Sequence, residues 1–235
     1  MEYEYEHPQP ISSWATLAAP NLIRWTQKAD AYSAAWKDNF STPPTSIFAV
    51  ALGLSVAQHE TWCGDAWPGE HNWGATQKRR LTPEEHLVLT TAGILPSIHT
   101  VQAARAAIAQ AIIDGKCTPL DHEALHADSS PIHGWYFCYF NAYDTDEQGA
   151  IRFIHVLAGE RSSCKQILDR ANVLHLSGQA ANLAAAMYYT KYYEGFHSPK
   201  TTEGNQANIR DYANAIVPLV SAITRDLKLA YWLVK

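Results

Sequence analysis

Residues 45–61 (TSIFAVALGLSVAQHET) limit the possible folds of this chain more than any other stretch. Ile47, Val50, Leu54 and Ala57 recur at the spacing of one helix face, and Phe48, Ala49 and Ala51 fill the flanks. A helix that is apolar on nearly every side has no face to offer water, so it must run through a core walled by other elements. The spacing of apolar residues predicts those walls as helices over 21–36, 101–114, 163–175, 179–192 and 205–226, with Pro218 kinking or dividing the last. In the first of them Leu22, Trp25, Ala29, Tyr32 and Trp36 share a face.

Local signals punctuate the rest. Thr82-Pro83-Glu84-Glu85 is a capping box with proline at the first helical position and opens a helix that ends near Gly93. Thr145 to Gln148 repeats the signature for a helix stopped by Gly159, and Thr100 is placed to cap 101–114, closed by Gly115. WYFCYFNAY, residues 135–143, is short and aromatic-rich, as a strand requires, whereas 116–134 reads as irregular or weakly helical. The fold class expected is therefore mainly α (α+β), with a small β element near 135–143. Residues 1–20 read as an N-terminal arm and 21–235 as one domain, with a smaller lobe over 63–143.

Of 235 residues 47% are hydrophobic and 17% charged, enough for a real core and too few charges for a disordered chain. A net charge of -5 without a basic run argues against nucleic acid as partner. No apolar run is long enough to span a membrane, and the acidic start MEYEYEHPQP is not a signal peptide, so action outside the cell would require release by a phage or other non-classical route. Cys63, Cys117, Cys138 and Cys164 form no CxxC pair, which leaves zinc-ribbon chemistry unsupported, and a domain of this size does not need disulfides, so reduced thiols are expected. No cofactor and no resident metal are expected, and the chain is expected to act as a monomer.

Chemistry concentrates in 52–78, LGLSVAQHETWCGDAWPGEHNWGATQK. The buried helix delivers Glu60 at its C-terminal end, and an aromatic, glycine-rich loop follows. There the helix dipole and partial burial both disfavour the carboxylate, which suits a general acid working near neutral pH. Eight Trp and twelve Tyr supply flat faces that can stack on sugars or pack a core.

In these residues the chain resembles the lysozyme-like superfamily, closest to its glucosaminidase branch. The likeness lies in Ala57-Gln58-His59-Glu60, Cys63-Gly64-Asp65 and His71-Asn72-Trp73-Gly74-Ala75, and then in Phe140-Asn141-Ala142-Tyr143-Asp144, the tyrosine-rich 186–193 and Asp211-Tyr212-Ala213. It covers about 45–78 and 135–225, and the order of the motifs carries it. The resemblance implies a two-lobed domain cutting the β-1,4-glycosidic bonds of the peptidoglycan glycan strand, with Glu60 protonating the bridging oxygen. It further implies that Asn72 and Gln77 bond N-acetyl groups, that Trp62, Trp67 and Trp73 stack on sugar faces, and that Tyr189 holds the reacting sugar, with Glu70, His71 and Tyr192 completing the binding set. Asp65, Glu70 and Asp128 are candidates for a second carboxylate. Asp128 is favoured because it sits in a polar loop before the strand, although a single-acid lytic transglycosylase would need none.

Two rivals stand beside this reading. His122-Glu123-Ala124-Leu125-His126 matches HExxH, which on a helix sets two imidazoles one turn apart to bind zinc in a metallopeptidase. The other rival is an inert glycan-binding or structural module, in which only Glu60 would lose its meaning.

Overall fold

A computed structural model describes residues 11–40, 44, 46–66, 68–97, 100–130, 134–174, 178–193, 197 and 201–233. In chain order the elements are α1 (Ile11–Phe40), α2 (Ile47–Thr61), β1 (Gln77–Arg80), α3 (Pro83–Thr91), α4 (Val101–Ile113), β2 (Glu123–Ser130), β3 (Gly134–Asn141) and α5 (Asp146–Ile154). A π-helical turn, His155–Gly159, leads on to α6 (Ser162–Leu174), α7 (Gln179–Tyr189) and α8 (Thr202–Leu233). The chain is mainly helical with a small antiparallel sheet, the class read from its sequence. Among the described residues no helix is long and apolar enough to cross a membrane.

Helix α2 is the buried rod that its composition demands. Ala51, Leu52, Leu54, Val56 and Ala57 are fully enclosed, and α1 and α8 pack along it. Ser46 caps its start, its hydroxyl accepting from the Ala49 N–H at 3.2 Å. Gly53 admits the closest crossing, since a Cβ there would fall 2.1 Å from the Tyr32 hydroxyl of α1. The capping box at α3 is complete: Thr82 accepts from the Glu85 N–H and the Glu85 carboxylate accepts from the Thr82 N–H. At α5 Thr145 accepts from Gln148 N–H, but the Gln148 side chain bonds Asp144 instead. Thr100 occupies the cap of α4 without a side-chain bond.

Several boundaries differ from the sequence reading. Helix α1 begins at Ile11 and runs through Pro20, so the arm expected over 1–20 is helical from residue 11; the first ten residues lie outside the described set. Pro218 is likewise inside the continuous α8. Two strands were missed. β3 is the central strand of the order β1-β3-β2; it pairs with β2 from Glu123↔Asn141 to Ser130↔Gly134 and with β1 across a bulge between Gln77 and Arg79.

The core has two parts. The larger joins α1, α2, α5, α6, α7 and α8 around Tyr32, Trp36, Leu52, Leu54, Phe153, Leu183 and Ile216. The smaller joins Leu89, Ala104 and Ile108 of α3 and α4 to Leu125, Phe137 and Tyr139 of the sheet. The segment between α2 and β1 is pinned by backbone packing on α5. A Cβ at Gly149 would lie 1.8 Å from the His71 carbonyl oxygen. Backbone cannot step aside as a side chain can, so Gly149→Ala should destabilise the chain by about 1–3 kcal/mol, read as a lower urea midpoint at unchanged slope.

Candidate functional site

The chain leaves α2 in a conformation that L-residues avoid. Trp62, Cys63 and Gly64 follow one another at positive φ (55°, 56° and 82°), and Glu70, His71 and Ala75 repeat the feature further along. Each such non-glycine residue costs about 1–3 kcal/mol and persists only where its surroundings over-determine it. Here a buried cation supplies the surroundings. Lys28 of α1 donates to the Cys63 carbonyl at 2.8 Å, to Asp65 at 2.8 Å and to Asp146 at 2.7 Å. Arg24, one turn earlier, bonds the Trp62 carbonyl, Gln58 and Asp65. The other oxygen of Asp146 takes the Trp73 indole N–H at 3.1 Å and the His71 imidazole at 3.0 Å.

Glu60 lies half-buried at the end of α2, in a nest of tyrosines. Tyr212 of α8 donates to its Oε1 at 2.5 Å. Tyr193 stacks on Tyr212 with ring centroids 4.2 Å apart, and His59 meets the same ring edge-on. Burial pushes the Glu60 carboxyl up to about 7, against the opposing pull of the Tyr212 hydroxyl. Among the described residues, the groups that interact electrostatically with Glu60 are the phenols Tyr192, Tyr193 and Tyr212. A carboxyl poised this way still holds much of its proton at neutral pH and keeps one oxygen free of the Tyr212 bond, which is what a proton donor to a leaving oxygen requires.

The remaining site residues read from sequence divide into three sets. Tyr192 belongs with Glu60: its hydroxyl lies against Gly74 of the Asn72-Trp73-Gly74 turn, where a Cβ would be 2.9 Å away. Trp62 and Tyr189 are strongly exposed, at 62% and 68%, and free to meet a ligand. Glu70 is exposed and 3.6 Å from Arg105.

A second set serves the loop itself. Trp73 is fully buried, so it cannot stack on a sugar; its indole N–H is spent on Asp146. Asn72 is also buried, donating to the carbonyls of Thr76 and Asn141 and accepting from Thr76, which leaves no amide group for a substrate. Half-buried His71 is tied to Asp146. Trp67 lies outside the described residues.

The third set sits on the sheet. Asp128 is in β2, not in a loop, and accepts from Gln77 of β1 and from Tyr136 of β3 at 3.1 Å. These partners tie Asp128 to Gln77 rather than to Glu60.

HExxH does not form the zinc geometry. Its residues run into strand β2, where Glu123 and His126, three positions apart, point to opposite faces. Glu123 is paired with Arg79 at 2.7 Å, and the His126 ring nitrogen faces Arg105 at 2.7 Å. Burial, reinforced by that guanidinium, lowers His126 to about 4. Among the described residues no group of three or more His, Cys, Asp or Glu is arranged to hold a metal; His133 lies outside them.

The sequence alone points to no role in the site for Lys28, Arg24 or Tyr193, and an aspartate at the start of a helix, such as Asp146, is sufficiently explained there by the helix dipole. For Tyr212 a signal existed: it shares the α8 stripe of Ile216, Val220, Ile223 and Leu227, a phenol on an otherwise aliphatic buried face. Comparison with protein-family models, with curated proteins and with solved structures finds no match to this chain.

Proposed function

We propose that this chain is a peptidoglycan hydrolase of lysozyme-like architecture that cleaves β-1,4-glycosidic bonds of the glycan strand, with Glu60 as general acid. The observation that carries the reading is the Glu60 carboxyl itself, half-buried beside Tyr212 and raised to about 7. The strained, braced loop after α2 supports it, since such backbone clusters at sites where geometry is used. Exposed Trp62 and Tyr189 offer sugar-stacking faces.

In this reading Glu60 delivers its proton to the bridging oxygen as the C1–O bond breaks and oxocarbenium character develops. Mass spectrometry of fragments released from purified peptidoglycan tests it. Reducing-end identity gives the bond, and a product lighter by one water distinguishes transglycosylation from hydrolysis. Release of stem peptides alone, or of nothing, overturns the proposal. The acid must hold its proton, so fragment release should decline as pH rises through about 7, and a pH–rate profile between pH 5 and 9 checks this.

A further inference from the structure

Each carboxylate that the sequence offers as a partner to Glu60 is committed elsewhere. Asp65 accepts from Arg24 and Lys28, Glu70 lies 3.6 Å from Arg105, and Asp128 is held by Gln77 and Tyr136 on the sheet. Hydrolysis still needs a group that takes the proton of the attacking water. His59 is the titratable side chain next to the acid. It is exposed near the end of α2, and its ring has no hydrogen-bond partner among the described residues.

The ring is nevertheless fixed in place. It stands edge-on to Tyr212, with centroids 4.8 Å apart and planes at 84°, and the Tyr212 hydroxyl is the donor to Glu60 at 2.5 Å. Tyr212 is buried and stacked on Tyr193, so one clamped ring locates both the imidazole and the carboxyl. Successive side chains on a helix diverge by about 100°, which keeps the two groups from touching. Their shared contacts with Tyr212 hold them within about 10 Å of each other. In inverting glycosidases acid and base are roughly 6.5–9.5 Å apart, with the attacking water between them. Burial holds the imidazole below its ordinary value of 6.5, so near neutral pH it offers a lone pair while Glu60 keeps much of its proton.

We propose that His59 is the general base of the reaction, its ring nitrogen taking the proton of the water that attacks C1 while Glu60 protonates the departing oxygen. The bond from C1 to the leaving sugar breaks as the bond from C1 to water forms. The bridging oxygen gains the Glu60 proton and His59 gains one from the water. Solvent then reprotonates Glu60 and deprotonates His59, so the net change is one water added across the bond. Attack from the face opposite the leaving group inverts C1, and a β-linkage therefore gives an α-anomer. The role rests on the reading of Glu60 as the acid.

The titratable groups facing the pair are Tyr212 from α8 and Tyr192 and Tyr193 from the α7–α8 connection; Arg161 and Cys164 reach Tyr192 from beside the start of α6. From α1, Arg24 reaches Gln58, the residue before His59, and is also bonded to Asp65 and the Trp62 carbonyl. The experiment follows fragment release from purified peptidoglycan by wild type, His59→Gln and Glu60→Gln across pH, and reads the first-formed anomer by proton NMR. Wild type should give a bell-shaped profile, with an acid limb below 6.5 and an alkaline limb near 7, and should form the α-anomer first. His59→Gln removes no hydrogen bond and should fold. It should lose about 10²–10⁴-fold in rate and lose the acid limb, while the alkaline limb stays. A β-anomer, a product lighter by one water, or an acid limb that persists in His59→Gln overturns this role and leaves Glu60 as the acid. Absence of cleavage by wild type overturns both readings.

Discussion

Replacing Glu60 by glutamine is expected to lower the rate of glycan fragment release by about 10²–10⁴-fold, the usual contribution of a positioned general acid. Glutamine has the same shape and can still accept from Tyr212, so binding of peptidoglycan should persist and the fold should remain. A module that only binds glycan would show no such split: wild type would release nothing to lose.

The same variant has a signature in stability that does not depend on substrate. The Glu60 carboxyl titrates at about 7 in the folded chain, above the ordinary value of 4.5 that it regains on unfolding. Below 4.5 the carboxyl is protonated in both states, and the preference of the site for the neutral form is fully present. As pH rises through the window from 4.5 to 7 that contribution is lost, because the unfolded chain releases its proton first. The loss amounts to at most about 3 kcal/mol. Glutamine does not titrate, so the melting temperature of Glu60→Gln relative to wild type should be more favourable at pH 8.5 than at pH 4. A constant difference across that range would mean that Glu60 is solvated like any surface glutamate.

How much of this was legible in the sequence depended on whether a residue's partner was local. Helix α2 could be read because its burial is written into every turn, and the Thr82 box because both partners lie three residues apart. Strands β1 (QKRR) and β2 carry no strong alternation of apolar and polar residues; they exist because β3 offers them a ladder, a long-range fact. The helix reading started after Pro20, yet α1 passes through it, since one missing hydrogen bond is tolerated in a helix anchored by Trp25, Tyr32 and Trp36 in the core.

In the site, Glu60 was visible as a carboxyl at the end of a buried helix. Asn72 and Trp73 were recognised as a motif but given the wrong partners, because an amide and an indole that suit a sugar suit a strained loop equally well. Which one they serve is decided by Thr76, Asn141 and Asp146, the last two about 70 residues away along the chain. Lys28 gave the least warning, a polar tip on an apolar stripe whose acceptors lie on distant segments.

Lys28→Met should destabilise the chain by about 1–3 kcal/mol, the cost of leaving the buried Cys63 carbonyl without its donor, since the carboxylates left behind, Asp65 and Asp146, are 44% and 30% exposed and can be met by water. The Lys28 side chain is 5% exposed, and the three hydrogen bonds of its ammonium go to the Cys63 carbonyl, Asp65 and Asp146; the ammonium also lies 5.4 Å from the Trp73 ring centroid. Methionine fills the volume but leaves the Cys63 carbonyl unbonded in the middle of the left-handed run, where strain has least to spare. Burial alone would raise the Asp146 carboxyl, yet bonds from Lys28, His71 and Trp73 overcome burial and hold it below its ordinary range.

A depressed carboxyl adds stability above its unfolded value of 3.8 that is lost as pH falls through the folded value. Wild type should therefore lose this contribution only in acid, and Lys28→Met should show a flatter dependence there. Asp146→Asn in the Lys28→Met background separates the pair from the general cost of a core change. If the two groups act as one clamp, the double variant should be more stable than the sum of the two single losses predicts, by about 0.5–3 kcal/mol in urea unfolding. Strict additivity would mean that Lys28 braces the loop through the Cys63 carbonyl and Asp65, not through Asp146.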